Sequence, residues 1–357
     1  MNRQTLLINK TDSLLYIAIF QCLSLVLVFL LSGIAEAENF DDSEILHIDY
    51  PDWFIDNAFK DFPDDLNNAL SNGKKGLMVL FTTEGCSYCD RFIKKSLGDP
   101  EIAKVVQRNF DTVGLEIFND ANMVHPDGTP TNVANFAESE GVEFSPTLLF
   151  FGKEGKTFLK LVGYQSPQKF KNIMLFFEER QPGETFKSYL KRKSSALNEM
   201  VEYELQPDAL FQQPPFDLER STDKPGKPAL VIFEGSGCKN CKNFHENVLS
   251  DAAIRQSLQA FDVVQLDKNN QVMKLTTPAG DEMTAAQWYQ QTGFSQLPAL
   301  MFFNEYGEKV LQTDALVLNQ RLMNSLNFVL ERAYEKGWTY QRFARSKGIE
   351  RYMNQGK

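Results

Sequence analysis

The chain carries one pattern twice. Cys86-Ser-Tyr-Cys89 recurs as Cys238-Lys-Asn-Cys241, an offset of 152 residues. The same offset carries Val79 onto Val231, Phe81 onto Phe233, Gly85 onto Gly237 and Phe92 onto Phe244. It continues through Leu97 and Leu249, Asp99 and Asp251, Gly128 and Gly280, Gly141 and Gly293, Pro146 and Pro298, and Gly155 and Gly307. One offset held without a gap over that length means two copies of a single folding unit. Beyond it, Gly183-Glu-Thr185-Phe186 recurs as Gly337-Trp-Thr339-Tyr340, after a two-residue insertion. Each unit is therefore expected to end in an extra helix. The first places Phe186, Leu190, Leu197 and Val201 at near-helical spacing, a packing face. Pro207, Pro214-Pro215 and Pro225-Gly226 punctuate the stretch between copies. The expected boundaries are 44–200 for the first unit, 201–226 for linker and lead-in, and 227–350 for the second.

Within each unit the order of elements is legible. Leu77–Phe81 and Ala229–Phe233 are short, unbroken apolar runs, the pattern of a central strand buried on both faces. Each leads into Gly-Cys-x-x-Cys and then a helix-like segment with Phe92 or Phe244 on its apolar side. A cysteine at a helix mouth meets unpaired amides and the positive end of the dipole, which favour its thiolate. Thiolate is the nucleophile of disulfide exchange, so Cys86 and Cys238 are candidate nucleophiles and Cys89 and Cys241 candidate resolving thiols. Lys239 beside Cys238 would favour the anion further, and Tyr88 is the corresponding tuning candidate at Cys86, which it would gate or cover. Sixty residues after each leading cysteine stands a proline, Pro146 or Pro298, directly before Thr147–Phe151 or Ala299–Phe303. Proline suits a strand's first position, and Gly155 and Gly307 then turn the chain into a return strand.

Several chemistries are set aside. With 37 basic and 47 acidic residues the net charge is −10, the wrong sign for holding nucleic acid. Five cysteines are too few for a disulfide-stapled scaffold, and His47, His125 and His245 leave little for a histidine metal site. Cys-x-x-Cys pairs can bind zinc, yet here they lie about 150 residues apart in separate repeats. Haem attachment needs a histidine after the second cysteine, where Asp90 and Lys242 stand. Static structural disulfides remain an alternative. His245 follows Cys241 by four residues, but Ile93 holds that place in the first copy, so a packed or surface imidazole is expected.

The amino terminus reads as an address. Arg3 and Lys10 precede the apolar run 14–34, and Ala35-Glu36-Ala37 has the small-x-small pattern of a signal-peptidase site. Residues 1–37 are expected to be a signal peptide, with an inner-membrane anchor over 14–34 as the alternative. Either sends the remainder to the periplasm.

Strand, Gly-Cys-x-x-Cys, helix, and Ser145-Pro146 or Leu297-Pro298 before a Phe-rich strand together resemble the thioredoxin superfamily. The long stretch carrying Asp127-Gly128 or Ala279-Gly280 is similar to the inserted hairpin of SoxW-type periplasmic proteins. The resemblance implies an α/β chain of two tandem thioredoxin-like domains, each a central mixed sheet flanked by helices. It further implies cis prolines against the cysteines, with Ser145 and Leu297 offering backbone to an extended substrate. One departure stands out, in both copies. Leu80 and Ile232 occupy the place of the family's buried aspartate, leaving Glu84 or Glu234 as the acids that could replace it. The expected function is an exported thiol–disulfide oxidoreductase acting on protein thiols and disulfides. No bound cofactor is implied, and a membrane or periplasmic thiol-transfer donor would regenerate it. The alternatives are a binding scaffold with two structural disulfides, or one catalytic domain beside one substrate-binding domain.

Overall fold

Strand β1 (Gly76–Thr82) is buried at all seven positions because it is the inner strand of its sheet and is covered on both faces. Its alternation divides the side chains between two apolar layers. Leu77, Val79 and Phe81 pack with Phe62, Leu66, Phe136 and Phe151, while Met78 and Leu80 face Phe92, Phe150, Phe170 and Ile173. The computed structural model describes residues 40–55, 61–194 and 203–354. Residues 1–37, expected to direct export, and Leu197 and Val201 of the expected first packing face, lie outside the described residues. Among those described, no helix is long and apolar enough to cross a membrane.

In the first domain, α1 (Phe62–Ser71) precedes β1, and α2 (Ser87–Arg91) runs on into a π-helical turn, Phe92–Leu97. Then come α3 (Pro100–Asn109), β2 (Phe110–Glu116), the hairpin β3 (Asn122–Val124) and β4 (Pro130–Asn132), and α4 (Val133–Ser139). The domain closes with β5 (Thr147–Phe151), β6 (Thr157–Val162), α5 (Pro167–Glu179) and α6 (Phe186–Ser194). The sheet order is β2-β1-β5-β6, with β1 parallel to β2 and antiparallel to β5.

The second domain repeats this plan. It holds β7 (Ala229–Glu234), α7 (Lys239–Phe244) with its π-helical turn His245–Leu249, α8 (Ala252–Leu258) and β8 (Asp262–Asp267). The hairpin β9 (Lys274–Thr276) and β10 (Glu282–Thr284), α9 (Ala285–Thr292), β11 (Ala299–Phe303) and β12 (Lys309–Thr313) follow. Two further helices end the chain, α10 (Asn319–Leu330) and α11 (Tyr340–Asn354). The sheet order β8-β7-β11-β12 is the same as in the first domain. The two sheets, the inserted hairpins and the final helices are those the repeat predicts.

The copies differ at their entrances. Where α1 covers the first sheet, Phe216 and Leu218 of the proline-rich lead-in cover the second, packing on Val231, Phe233 and Trp288. This stretch is thus part of the second domain's wall rather than a free tether. Nor are the two cores separate: one apolar cluster runs from Met78, Leu80 and Phe170 to Leu230, Ile232, Phe302 and Leu326. Residues 40–357 form one compact unit.

Asp208 clips the lead-in to α8 through two hydrogen bonds from Arg255, 2.7 and 2.9 Å long. These bonds pull the Asp208 carboxyl down to about 2, from an ordinary value near 3.8. The clip is fully formed above the ordinary value and is lost as pH falls through the lowered one. Both side chains are part exposed, so solvent screens the pair, and Asp208→Asn should cost about 1 kcal/mol at pH 7. Urea melts should show that difference at neutral pH and convergence of the two proteins near the lowered value.

Candidate active site

Both cysteine pairs sit at helix mouths. Gly85 (φ 79°) and Gly237 (φ 72°) adopt the left-handed conformation that a side chain resists, and so turn the next residue onto the helix start. Cys86 is the N-cap of α2 and Cys238 that of α7. Each Sγ accepts the amide three residues on, from Cys89 at 3.1 Å and from Cys241 at 3.0 Å. Each pair is joined as a disulfide, with 5.2 Å between Cα atoms. On reduction the leading sulfur is left where the amide donor and the helix's positive end favour an anion. Cys89 and Cys241 are fully buried, whereas Cys86 and Cys238 are half-buried, so an incoming sulfur meets the leading cysteine.

The Ser145–Pro146 and Leu297–Pro298 peptides are cis. Pairing of Phe81 with Thr147, and of Phe233 with Ala299, sets each proline beside the turn that leads to its cysteines. In the first domain Thr83 Oγ1 lies 3.0 Å from Ser145 Oγ.

The two sites differ in cover. At the first, the second domain lies over the proline loop. Arg321 donates to the Ser145 carbonyl oxygen at 2.7 Å, and Ser145 Oγ donates to Gln341 Oε1 at 3.2 Å. The junction is drawn tight where Ala315 Cβ stands 2.4 Å from where a Cβ on Gly163 would be, so only glycine fits there. Asp42 holds the start of α10, which lacks a side-chain cap of its own. Its carboxylate accepts the amides of Gln320 and Arg321 at 2.9 and 2.8 Å and the Tyr88 hydroxyl at 2.8 Å. Tyr88 in turn accepts the Leu318 amide at 2.9 Å, under the Arg321 guanidinium 3.4 Å from its ring centre. Burial keeps this phenol protonated, well above its ordinary range, against the pull of Arg321. Tyr88 is thus a pin between domains and not a gate over Cys86. What remains open beside Cys86 is a cleft of about 310 Å³, closed on its far side by α11.

The second site is open. Asn240 stands where Tyr88 stands in the first copy and is exposed, as is Lys239. Leu297 is part exposed, and among the described residues neither its N–H nor its C=O has a hydrogen-bond partner. Its backbone edge is free to pair with an extended chain.

Beneath this second site lies a polar cluster that the first one lacks. Glu234, last residue of β7, is wholly buried and accepts from Tyr203 Oη at 2.7 Å and Gln265 Nε2 at 2.8 Å. Its other oxygen lies 2.9 Å from His245 Nε2. Burial first, then the Glu234 hydrogen bond and charge, hold the Tyr203 phenol far above its usual range. At the corresponding position of the first domain, the Thr82 hydroxyl has, among the described residues, one hydrogen-bond partner, Tyr50 Oη, 2.6 Å away. Of the two candidate replacement acids, Glu234 is therefore the buried one. Glu84 is exposed and bound to His47 Nδ1 at 2.7 Å. His245, expected as a packed or surface ring, is packed against Tyr203 and Phe211 and is also tied to that carboxylate. The signal was present in the sequence: Glu234, His245 and Gln265 are all polar where the first copy has Thr82, Ile93 and Val113.

A family model described as a thioredoxin-like domain matches residues 62–178 and again 219–330. No curated protein matches the chain. Among solved structures, a thioredoxin-fold protein from Helicobacter pylori is 23% identical, over 38% of this chain and 92% of its own, at a TM-score of 0.30. A thioredoxin from Thermus thermophilus is 20% identical over 40% of this chain and 96% of its own, at 0.27. A disulphide isomerase from Xylella fastidiosa Temecula1 is 15% identical over 32% of this chain and 87% of its own, at 0.26.

Proposed function

The chain belongs to the thioredoxin-like domain family in two tandem copies, and from that premise we propose an exported thiol–disulfide oxidoreductase that meets protein substrates at Cys238. The observation that carries this reading is the sulfur at each helix mouth, already accepting the amide of its partner cysteine. Cys238 thiolate attacks a substrate disulfide, one substrate sulfur leaves with the electron pair, and a mixed disulfide forms. Cys241 gives up its proton and attacks Cys238 Sγ. That closes the pair and releases the second substrate thiol. The reverse sequence oxidises a dithiol, and the residues serve both directions.

Glu234 is the chain's buried proton acceptor for Cys241 in this scheme, held by His245, Tyr203 and Gln265. Leu297 supports the choice of protein substrates, because its unengaged backbone can add a strand from an extended chain. An external thiol-transfer donor, at the membrane or in the periplasm, would restore the starting state. Residues 1–37 would direct the export.

The test is a trap. With Cys89→Ser and Cys241→Ser combined, mixed disulfides should persist on Cys238, and mass spectrometry should name exported proteins as the partners. Two inert structural disulfides would give no adducts and reduction potentials below about −300 mV. That outcome would return the chain to the scaffold reading.

A further inference from the structure

The cleft beside Cys86 has features that a protein-binding groove does not need. The carbonyl edge of Ser145, which an extended chain would use, is taken by Arg321, and its hydroxyl by Gln341. Access to Cys86 runs instead through a cavity of about 310 Å³, at the small end of the range for small-molecule sites. Its walls come from both domains and include Arg351 and Gln341 of α11.

Each of those two side chains carries one donor that is unpartnered among the described residues, although the Asp42 carboxylate acts on the Arg351 charge. Arg351 Nε and Gln341 Nε2 are buried and, among the described residues, have no hydrogen-bond partner. A buried unmet donor costs about 1–3 kcal/mol, a cost an acceptor on a ligand would offset. The other charges on the walls are already engaged. Arg345 pairs with Glu116 at 3.7 Å and lies over the Phe118 ring. Asp42 accepts three hydrogen bonds from Tyr88, Gln320 and Arg321, and Glu84 is turned to His47. At the mouth, Ile45, Ile349 and Tyr352 are exposed at 39%, 52% and 48%, an apolar rim for methylene groups.

We propose that this cleft admits a small thiol bearing a carboxylate, of tripeptide size or less, which exchanges with the Cys86–Cys89 disulfide. The inference rests on the oxidoreductase reading above and gives its first site a substrate class. The carboxylate sits against Arg351 and Gln341, and the sulfur reaches Cys86. The small thiolate attacks Cys86 Sγ, the Cys86–Cys89 bond breaks, and Cys89 leaves with the electron pair and takes a proton. A second small thiol attacks the sulfur of the first, which forms the small disulfide and frees Cys86. Two thiols are oxidised to one disulfide, and the protein pair gains two electrons and two protons.

The experiment uses the full chain carrying Cys238→Ser and Cys241→Ser, so that only the first site reacts. Reduced glutathione, a tripeptide thiol with two carboxylates, is compared with its diethyl ester at equal thiolate concentration, and dithiothreitol reports whether the disulfide can open at all. Glutathione should react about tenfold faster than its ester, the advantage of one charge-assisted contact. Arg351→Ala should bring that ratio to about one, and Arg351→Lys should keep most of it. Equal rates for glutathione and ester, with dithiothreitol still active, would overturn the small-thiol assignment and leave the oxidoreductase reading standing. Faster reaction with insulin than with glutathione would likewise overturn it, in favour of a protein substrate. A disulfide that dithiothreitol cannot open would remove both.

Discussion

Cys238→Ser should lower insulin reduction by the intact chain by about 100-fold or more, the scale expected when a nucleophile is lost, while Cys86→Ser should leave most of it. The asymmetry follows from what covers each proline loop. The Ser145 carbonyl is engaged by Arg321 and its hydroxyl by Gln341, and Tyr88 is locked beneath Asp42 and Leu318. An incoming chain would have to separate the two domains, which share one apolar cluster, to reach that edge. Among the described residues the Leu297 backbone has no such contact, although Lys169 of the first domain donates to the neighbouring Gln296, and Lys239 and Asn240 beside Cys238 are exposed. A turbidity assay with insulin and a chemical reductant reads the difference directly. Equal losses from the two variants would mean that both grooves accept protein chains, and that the domain junction opens in solution.

Glu234→Gln should slow turnover at the second site by about 10- to 100-fold at pH 7, toward the lower end of what a positioned base contributes. The amide keeps the shape and hydrogen bonds to Tyr203 and His245 in reach, but it cannot take the Cys241 proton. The pH profile separates this role from a merely structural one. As pH rises and hydroxide can take the Cys241 proton without a positioned base, the variant should recover toward the parent. A deficit of the same size at every pH would make Glu234 a packing residue. Thr82 holds the corresponding place in the first domain, and its hydroxyl is bonded, among the described residues, only to Tyr50. The small-thiol exchange there should therefore show no such recovery when Thr82 is changed to Val.

Much of this was legible in the order of residues. The fixed offset between Cys86 and Cys238 gave the doubled architecture, since a core repeated in sequence is a core repeated in space. Leu77–Phe81 announced a central strand because nothing polar interrupts it, and Pro146 and Pro298 fell where a strand could begin. Local patterns of this kind depend on neighbours a few residues away. The cover over the first site does not. Asp42 meets Gln320 and Arg321 across nearly 280 residues, and Ser145 meets Gln341 across 196. No periodicity records such pairings, and Tyr88 in a Cys-x-Tyr-Cys turn reads equally well as a gate or as a pin. The Glu234–His245 pair lies between these cases. Its members are 11 residues apart, one ending a strand and the other opening a π-helical turn, so their meeting depends on how that helix lies on the sheet. The substitution of three apolar or neutral positions by Glu, His and Gln in one copy was the available clue.

Everything proposed for this chain requires that a reduced leading sulfur prefer to be an anion at its helix mouth. The direct measurement is the pH dependence of iodoacetamide alkylation of Cys238 in the fully reduced chain, with Cys86→Ser and Cys89→Ser removing the other site. The amide donors and helix terminus around this sulfur predict a midpoint at or below about pH 7.5, in the range of activated cysteines. A midpoint near 8.5, that of a free thiol in water, would contradict the account and leave a doubled fold with two ordinary disulfides.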